Sequence, residues 1–289
     1  MATSFKKFTA IFLVAVFFFY FASGPARGAQ DVKAQQENQK LEIAVTHPWL
    51  ALLASFIGGV EVNVIPVKIW NSNGDLIMNE RGKILKELPA GSKIIALDEQ
   101  EAASSGIKAN EKNKFQIHYL YSPFPVSINL LLDPSVIPFV AQRVLTALSE
   151  WDAPNYPYYQ RRLAEFQARL SGSVLVGQVL KSVTICNMGG SCGILLQAAG
   201  CKLETLPQEL DEWKKGNYLS SLGDFIESKR AAGIITVFDD DTPPALKKFL
   251  ASRKDTFKWE RPSFERDYPS FLHEQYISLW QKITAKPLK

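Results

Sequence analysis

Short apolar runs alternate with amphipathic segments between residues 41 and 121. The segments 48–58 and 80–88 have apolar residues at helical spacing, and the first begins with Pro48 and ends with Gly58, as helices often do. Alternating and β-branched runs predict strands, which lie at 41–47, 60–67, 92–98 and 114–121. Strands that alternate with helices are typical of an α/β lobe with a mostly parallel sheet.

Two helical patterns follow this first lobe. Asp133 can cap a helix and Pro134 fits a first helical turn, and apolar residues then recur at helical spacing from 135 to 150. The segment 152–157 interrupts the pattern. A second pattern runs from about 158 to 180 without a proline, and its one weak point is the small-residue stretch 171–173. This second pattern predicts the longest helix of the chain.

A second α/β unit follows the long helix. We predict its strands and helices at 182–186, 192–201, 232–241, 243–254 and 268–283, of which the first and third are strands. The predicted fold class is therefore α/β with two lobes, each a mostly parallel sheet flanked by helices, joined by one long backbone helix. The predicted bounds are 41–155 for the first lobe, 156–181 for the connecting helix and 182–289 for the second lobe.

Residues 1–29 are typical of a secretory signal peptide. A positively charged start precedes the apolar segment 10–22, and small residues allow cleavage after Ala26, Gly28 or Ala29. The apolar segment is short for a membrane span, although an uncleaved anchor is the alternative. No cysteine stands near the cleavage region to carry a lipid. We therefore expect a periplasmic protein whose polar lead-in, residues 30–40, is disordered.

Composition and charge exclude several classes of function. The 289 residues carry a formal net charge of +4, and the basic residues are scattered, which does not indicate binding to nucleic acid. The sequence shows no nucleophile elbow, no phosphate-cradling glycine-rich loop and no neighbouring Cys/His dyad. We therefore expect a protein that is not an enzyme.

Several segments resemble, in the same order, those of one known family. They are IAVTHPWLALLASFIGGVEVNVIPV, the triplet Leu132-Asp133-Pro134, YYQRRLAEFQARL, ILLQAAGCKLETLP and DYPSFLHEQYISLWQKI. From about residue 41 to 284 the chain is similar to the TroA-like, zinc/manganese-type (cluster A-I) periplasmic solute-binding proteins of ABC transporters. The resemblance implies a cleft between two lobes, a divalent metal ion as the solute, a monomer and an ABC transporter membrane permease as partner.

The same resemblance implies metal ligands that this chain lacks. The family's three histidines would fall near Ser72, on Asn129 and near Gly189, and its acidic ligand would fall near Glu260. None of the first three positions is a histidine, and an amide is a poor substitute for the imidazole that suits zinc. We therefore expect a degenerate or altered site, and the alternatives are a different solute, a metal complex, or a metal held through unusual ligands. The histidines of the chain are His47, His118 and His273.

The candidate cleft residues of the first lobe lie near predicted strand ends. His47 ends the first strand, where ligands bind in α/β lobes, although local hydrogen bonds could equally explain it. Trp70, Asn71 and Ser72 offer a flat wall and hydrogen-bonding groups, and the alternative is an ordinary Asn-rich turn. Asn129 could contact a solute in the cleft or serve as a structural amide.

The second lobe contributes another set of candidates. Asn187 and Gly189 lie in a loop between a strand and a helix, where glycine permits close backbone approach to a ligand and a helix N-terminus favours anions. Asp239 and Asp240 end a strand, where they could bind a hard cation or cap the following helix. Asp240 and Glu260 are the candidate metal ligands.

The chain has three cysteines, Cys186, Cys192 and Cys201. In an oxidising compartment a disulfide is favoured, either Cys186 with Cys192 or Cys186 with Cys201. Cys192 with Cys201 is excluded if both lie on one helix, because nine residues span about 13 Å. A thiolate site for a soft metal is a further alternative.

Two functions remain open at this point. The first is a periplasmic solute-binding protein of an ABC importer with an altered cleft. The second is a non-transporting accessory protein that keeps the fold without a ligand. A binding protein should keep polar groups that converge on the cleft from both lobes, whereas a degenerate scaffold should fill it with apolar side chains.

Overall fold

The structure is a computed structural model that describes residues 40–79, 88–107, 114–120 and 131–285. Some of the sequence predictions fall outside these ranges. They are the signal peptide at 1–29, the lead-in apart from Lys40, the helix at 80–88 apart from Leu88, and Asn129.

Six strands lie in the first half of the described chain. They are β1 (Leu41–Val45), β2 (Val62–Pro66), β3 (Lys68–Trp70), β4 (Leu76–Met78), β5 (Lys93–Ala96) and β6 (Gln116–Tyr119). Four of them form an all-parallel sheet in the order β2-β1-β5-β6. The sequence predicts a mostly parallel sheet here, although not the order of its strands. β3 and β4 form a separate antiparallel hairpin. The sequence pattern does not predict this hairpin, because three-residue strands are too short to show alternation.

The second half of the described chain contains a matching parallel sheet. Its strands are β7 (Thr184–Asn187), β8 (Lys202–Leu203), β9 (Ile235–Phe238) and β10 (Thr256–Lys258). Their order is β10-β9-β7-β8. The two edge strands are not predicted from the sequence, because both are very short. Two parallel sheets with helical connections confirm the predicted α/β fold class.

Nine helices are described around these sheets. They are α1 (Pro48–Gly58), α2 (Glu99–Ser104), α3 (Ile137–Trp151), α4 (Tyr156–Gly177), α5 (Cys192–Ala198), α6 (Leu210–Lys214), α7 (Leu219–Ala231), α8 (Pro244–Ala251) and α9 (Tyr268–Thr284). The predicted bounds of α1 agree with the structure, whereas α2, α6 and α7 are not predicted. The domain bounds 41–155, 156–181 and 182–289 stay a prediction.

Helix α4 is continuous through the predicted weak point at 171–173. Two small residues of this helix, Ser173 and Gly177, face α9, whereas Ser171 and Gly172 are exposed. The buried Ser173 hydroxyl donates to the carbonyl oxygens of Arg169 at 3.0 Å and Pro269 at 2.7 Å. At Gly177, an added Cβ would lie 2.8 Å from the ring of Tyr276. Small side chains therefore allow α4 and α9 to approach closely.

One hydrophobic cluster extends through both halves of the fold. It joins side chains of both sheets to α1, α3, α4 and α9, for example Ile57, Phe166, Val237 and Leu272, all fully buried. Two smaller clusters cover the outer faces of the two sheets. The connecting helix is thus part of a common core. Across the described ranges, the helices are too short or too polar to cross a membrane.

Candidate functional site

A cavity of about 420 Å³ opens where both halves of the fold meet beside the carboxyl ends of the sheets. The first half contributes residues from β1, α1 and the β3–β4 hairpin, and the second half contributes residues that follow β9 and β10. The lining residues that matter below are His47, Trp49, Trp70, Gly74, Asp75, Ser191, Asp239, Asp240, Asp241, Lys247, Trp259, Glu260, Arg261 and Phe271.

Aromatic rings form the wall of the first half. The Trp70 ring lies edge-on to Trp49 with centroids 5.1 Å apart, and edge-on to His47 at 6.5 Å. It stacks on Phe264 at 6.3 Å, and the Arg261 guanidinium lies 5.5 Å from its centroid. Offset and edge contacts of this kind add to the burial of aromatic surface and hold the rings in place. Trp70 lines the cavity, and its role as a wall for a bound solute stays a prediction.

His47 is held as a neutral imidazole. It precedes α1, and its Nδ1 accepts a hydrogen bond from the Trp49 backbone N–H at 3.2 Å. Burial, followed by the positive charges of Lys68 and Arg261, lowers the pKa of His47 to about 3. Because Nδ1 is the acceptor, the neutral ring carries its proton on Nε2. The ring therefore presents an N–H donor at the cavity.

The turn of the β3–β4 hairpin covers one side of the cavity. Asn71 shapes it, since its Oδ1 accepts from the backbone N–H groups of Asn73 at 2.9 Å and Asp75 at 2.8 Å. This is a side-chain turn motif, so Asn71 shapes the turn, and its role toward a solute stays a prediction. Ser72 is exposed at the tip and does not line the cavity.

Two cations of the second half hold this turn. Lys247 donates from Nζ to the carbonyl oxygens of Asn73 at 2.8 Å and Asp240 at 3.0 Å. Arg261 donates to the carbonyl oxygen of Gly74 and also pairs with the carboxylate of Asp241. We call Asn71–Asp75 the lid turn, because these contacts close it against the second half.

Asp239 is a structural carboxylate. It is 3 % exposed, and it accepts from the backbone N–H groups of Gly190 at 3.1 Å, Cys192 at 2.9 Å and Asp241 at 3.0 Å. The hydroxyls of Ser191 and Thr242 also donate to it, both at 3.2 Å. Five donors from two loops satisfy a buried carboxylate, so Asp239 joins these loops.

The loop that contains Asn187 and Gly189 is packed against Asp239. Asn187 closes a local turn, because its Oδ1 accepts from the Gly189 N–H at 3.1 Å. A Cβ at Gly189 would lie 2.6 Å from the Cys192 Sγ and 2.8 Å from the Asp239 carboxyl carbon. The close approach that glycine permits here is therefore to the protein itself. Neither residue lines the cavity.

The candidate metal ligands Asp240 and Glu260 share a lysine. The ammonium of Lys258 lies 3.1 Å from Asp240 Oδ1 and 3.0 Å from Glu260 Oε2. Within the described ranges no group of three or more His, Cys, Asp or Glu side chains could hold a metal ion. Both carboxylates thus form ion pairs with Lys258, and this arrangement does not fit a zinc or manganese centre.

The predicted disulfides are not formed, and all three cysteines are free thiols. Cys186 faces the outer cluster of the second sheet, whereas Cys192 and Cys201 face the common core. Cys186 thus belongs to a different hydrophobic cluster from its two predicted partners. Burial raises the pKa of the Cys186 and Cys201 thiols to about 11 in each case. The raised pKa keeps these thiols protonated, and this disfavours the alternative of a thiolate site for a soft metal.

Most of the lining residues are not among the sequence candidates, and four of those missed are Trp49, Lys247, Trp259 and Arg261. Arg261 follows the candidate Glu260, and Lys247 lies one turn into the helix that follows the candidate aspartates. Their closeness in sequence to those candidates is the signal that could have identified them as cavity residues. Trp259 follows the short strand β10, which the pattern does not predict, so no sequence signal placed it in the site.

The fold is similar to several solved structures. One is ZnuA, with 15% identity and a TM-score of 0.62 over 85% of this chain and 100% of that chain. Another is the Zn(II)-bound ZnuA-like domain of Streptococcus pneumoniae AdcA, with 12% identity and a TM-score of 0.59 over 84% and 99%. A third is the laminin-binding protein Lmb of Streptococcus agalactiae, with 12% identity and a TM-score of 0.61 over 84% and 100%.

No family model matches the sequence, and no curated protein matches it. At identities this low, a structural likeness establishes the fold alone. The observed sheets, the connecting helix and this likeness together confirm the resemblance that the sequence predicts. The chain has the TroA-like fold of the zinc/manganese-type solute-binding proteins.

Proposed function

We propose that this protein is the solute-binding component of an ABC importer, exported by the predicted signal peptide at 1–29, and that it is not an enzyme. Its solute would occupy the 420 Å³ cavity and would be passed to a membrane permease. A bound solute would favour the closed arrangement of the lid turn over an open one. The TroA-like fold supports this proposal at the level of architecture.

The observation that carries the proposal is the lining of the cavity. A scaffold without a ligand would be expected to fill the space between its halves with apolar side chains. Here the space is open, and polar side chains line it from both halves, with His47 on one side and Asp240, Lys247 and Arg261 on the other. Concave sites with apolar walls and a few convergent polar groups are typical of small-molecule binding.

The proposed solute is not a bare zinc or manganese ion. Asp239 is saturated by protein donors, and Asp240 and Glu260 are paired with Lys258. A metal ion would have to displace these partners. His47 has only its Nε2–H directed away from α1, so it would have to change tautomer to act as a ligand.

The accessory-protein alternative rests on one observation. Lys247 and Arg261 already close the lid turn without a solute. If this closure were permanent, the cavity could not be loaded, and the protein would act through its surface. The contacts are few and partly exposed, which favours a lid that opens.

Native mass spectrometry of the protein purified from its own compartment, together with metal analysis, tests the proposal. We expect a stoichiometric organic adduct and no stoichiometric zinc or manganese. Leu76 lines the cavity, whereas its neighbour Ile77 does not, although both are partly exposed. Leu76→Trp should therefore abolish the adduct, and the matched variant Ile77→Trp should keep it.

Each other outcome decides against part of the proposal. Stoichiometric zinc or manganese would contradict an altered site. The absence of any adduct, in preparations that never exceed trace metal, would favour the accessory protein. An adduct that survives Leu76→Trp would place the solute outside this cavity.

A further inference from the structure

The charged groups that line the cavity are mainly carboxylates. They are Asp75, Asp239, Asp240, Asp241 and Glu260. The lining cations are Lys247 and Arg261, and both are bound to backbone carbonyls of the lid turn. Lys258 lies outside the lining, and even when it is counted the carboxylates outnumber the cations by five to three among the described residues. A cleft lined mostly by one sign of charge attracts the opposite sign, so this cavity favours a cation.

Asp240 keeps one carboxylate oxygen that is free to accept a hydrogen bond. Its Oδ1 lies 3.1 Å from the Lys258 ammonium, which also pairs with Glu260. No residue in the described ranges donates to Oδ2 of Asp240, and this oxygen is not among the fully enclosed polar atoms that lack a partner. The Asp240 side chain is only 13 % exposed. A half-buried carboxylate oxygen with access to a cavity is complementary to an N–H group of a ligand.

Tryptophan rings line the same space as these carboxylates. Trp49 and Trp70 are half-buried and meet edge-on, with centroids 5.1 Å apart. The Arg261 guanidinium lies 5.5 Å from the Trp70 centroid, so this ring already attracts one cation. Trp259 and Phe271 complete the apolar wall. Tryptophan faces beside carboxylates suit an organic ammonium group, because the rings attract the charge and also contact the apolar body.

His47 adds one neutral donor to the cavity. Its side chain is 4 % exposed, and its Nδ1 accepts from the Trp49 backbone N–H, which leaves the proton on Nε2. No described residue bonds to Nε2, and this nitrogen is not among the fully enclosed polar atoms that lack a partner. It therefore has access to the cavity that His47 lines. An unpaired, largely buried N–H of a neutral ring is complementary to a neutral oxygen acceptor of a ligand.

We propose that the solute is a small organic cation, a protonated amine with a neutral oxygen acceptor, held by Asp240, the tryptophan walls and His47. This inference rests on the proposed solute-binding function and names its substrate class. The ammonium donates to Oδ2 of Asp240, the rings of Trp49 and Trp70 contact the body, and Nε2–H of His47 donates to the acceptor. A volume of about 420 Å³ lies at the lower end of ordinary ligand sites, so the solute is small.

Isothermal titration with tyramine as the probe tests this inference. The protein is first freed of endogenous ligand by partial unfolding and refolding. The comparison ligands are tyrosol, which is the neutral alcohol of the same shape, 3-(4-hydroxyphenyl)propionate, which is an anion, 2-phenylethylamine, which lacks the hydroxyl, and calcium chloride. We expect tyramine to bind and to raise the melting temperature, and tyrosol to bind at least tenfold more weakly. The anion and calcium should not bind, and 2-phenylethylamine should bind more weakly than tyramine.

The matched variants are Asp240→Asn and Asp255→Asn. Asp240→Asn keeps the shape and removes the charge, so tyramine affinity should fall about tenfold while tyrosol affinity changes little. Asp255 is also ion-paired, with Arg253 at 2.8 Å, and its side chain is 14 % exposed, but it does not line the cavity. Asp255→Asn should leave tyramine affinity unchanged. Asp240→Glu keeps the charge and should restore most of the affinity, which separates a lost charge from a damaged fold.

Failure of this inference and failure of the proposed function give different results. The organic-cation assignment is overturned if tyramine binds no better than tyrosol, if Asp240→Asn leaves tyramine affinity unchanged, or if calcium binds stoichiometrically. Equal affinities for tyramine and 2-phenylethylamine would remove the oxygen acceptor from the assignment. An organic adduct of another class in native mass spectrometry would then keep the solute-binding function. A protein with no adduct and no amine binding would overturn both.

Discussion

The two halves of this protein meet in two places that differ in chemistry. On one side, α4 and α9 pack through a core cluster shared by both halves, with Ser173 and Gly177 allowing close approach. On the other side, Lys247 and Arg261 hold the lid turn through backbone carbonyls. The first contact is apolar and extensive, whereas the second combines a few polar contacts with the stacking of Trp70 on Phe264 at a partly exposed edge.

This difference separates a fixed side from a side that can open. Interdigitated apolar packing resists displacement, because every small shift loses dispersion contacts. Hydrogen bonds from a cation to a carbonyl can be exchanged for bonds to water at a small net cost. Motion between the halves should therefore occur at the lid turn, while the α4–α9 contact stays closed.

The largest effect is expected from Gly177→Leu, on the fixed side. The new side chain would meet the ring of Tyr276, which is fully buried and donates to the Leu195 carbonyl at 2.8 Å. We expect a loss of about 3 kcal/mol in the free energy of unfolding, measured by urea denaturation. Gly172 lies in the same helix with no atom within 4 Å of an added Cβ. Gly172→Leu should stabilise by about 0.5 kcal/mol through helix propensity, and equal losses at both positions would contradict close packing at Gly177.

A smaller effect is expected from pH at the edge of the cavity. The pKa of His47 is lowered to about 3 in the folded protein, so the unfolded chain binds a proton at this residue first as pH falls below about 6.5. The stability that the neutral ring contributes is complete above the unfolded pKa and is lost as pH falls toward 3. Between pH 7 and pH 5 this loss amounts to about 2 kcal/mol.

His47→Asn isolates this contribution, because Asn keeps an acceptor for the cap of α1. We expect the free energy of unfolding of the variant to change less between pH 7 and pH 5 than that of the native protein, by about 2 kcal/mol. His273 is exposed on α9 and provides the control. If His273→Asn flattened the pH profile as much as His47→Asn, burial at the cavity would not be the cause.

The smallest effect on stability is expected from Lys247→Met, on the opening side. Loss of its two hydrogen bonds should cost about 1 kcal/mol or less. Hydrogen exchange of the lid turn should nevertheless become faster, because one of its two anchors is removed. The exposed neighbour Lys248 gives the matched variant Lys248→Met, which should leave exchange unchanged. Unchanged exchange in Lys247→Met would mean that the lid turn is held from within the first half.

Much of the fold is readable in the sequence because it depends on local patterns. The apolar runs of β1, β5 and β7 and the proline-started helices α1 and α8 lie where the patterns predict. The edge strands, the β3–β4 hairpin and the helices α6 and α7 are missed. These elements are short or weakly patterned, and neighbouring parts of the fold stabilise them.

The cysteines show why pairing is harder to predict than placement. Five residues separate Cys186 from Cys192 in the sequence. By local geometry alone, the two cysteines could form a disulfide. The side chain of Cys186 in β7 lies on one face of the sheet, whereas α5 places Cys192 on the other face. Side chains of successive strand residues alternate in direction, so the face depends on register, which spacing does not reveal.

By itself, the sequence determined that this is a two-lobed α/β chain of the TroA-like fold and that the expected histidines are missing. Only the tertiary structure decided what the candidate residues do. Asp239 became a structural acceptor, and Asp240 became the partner of Lys258, because donors distant in sequence converge on them. Periodicity reports which face of an element is buried, whereas the partner of a polar group depends on contacts between elements. That the buried indole N–H of Trp259 has no partner among the described residues is likewise known only from those contacts.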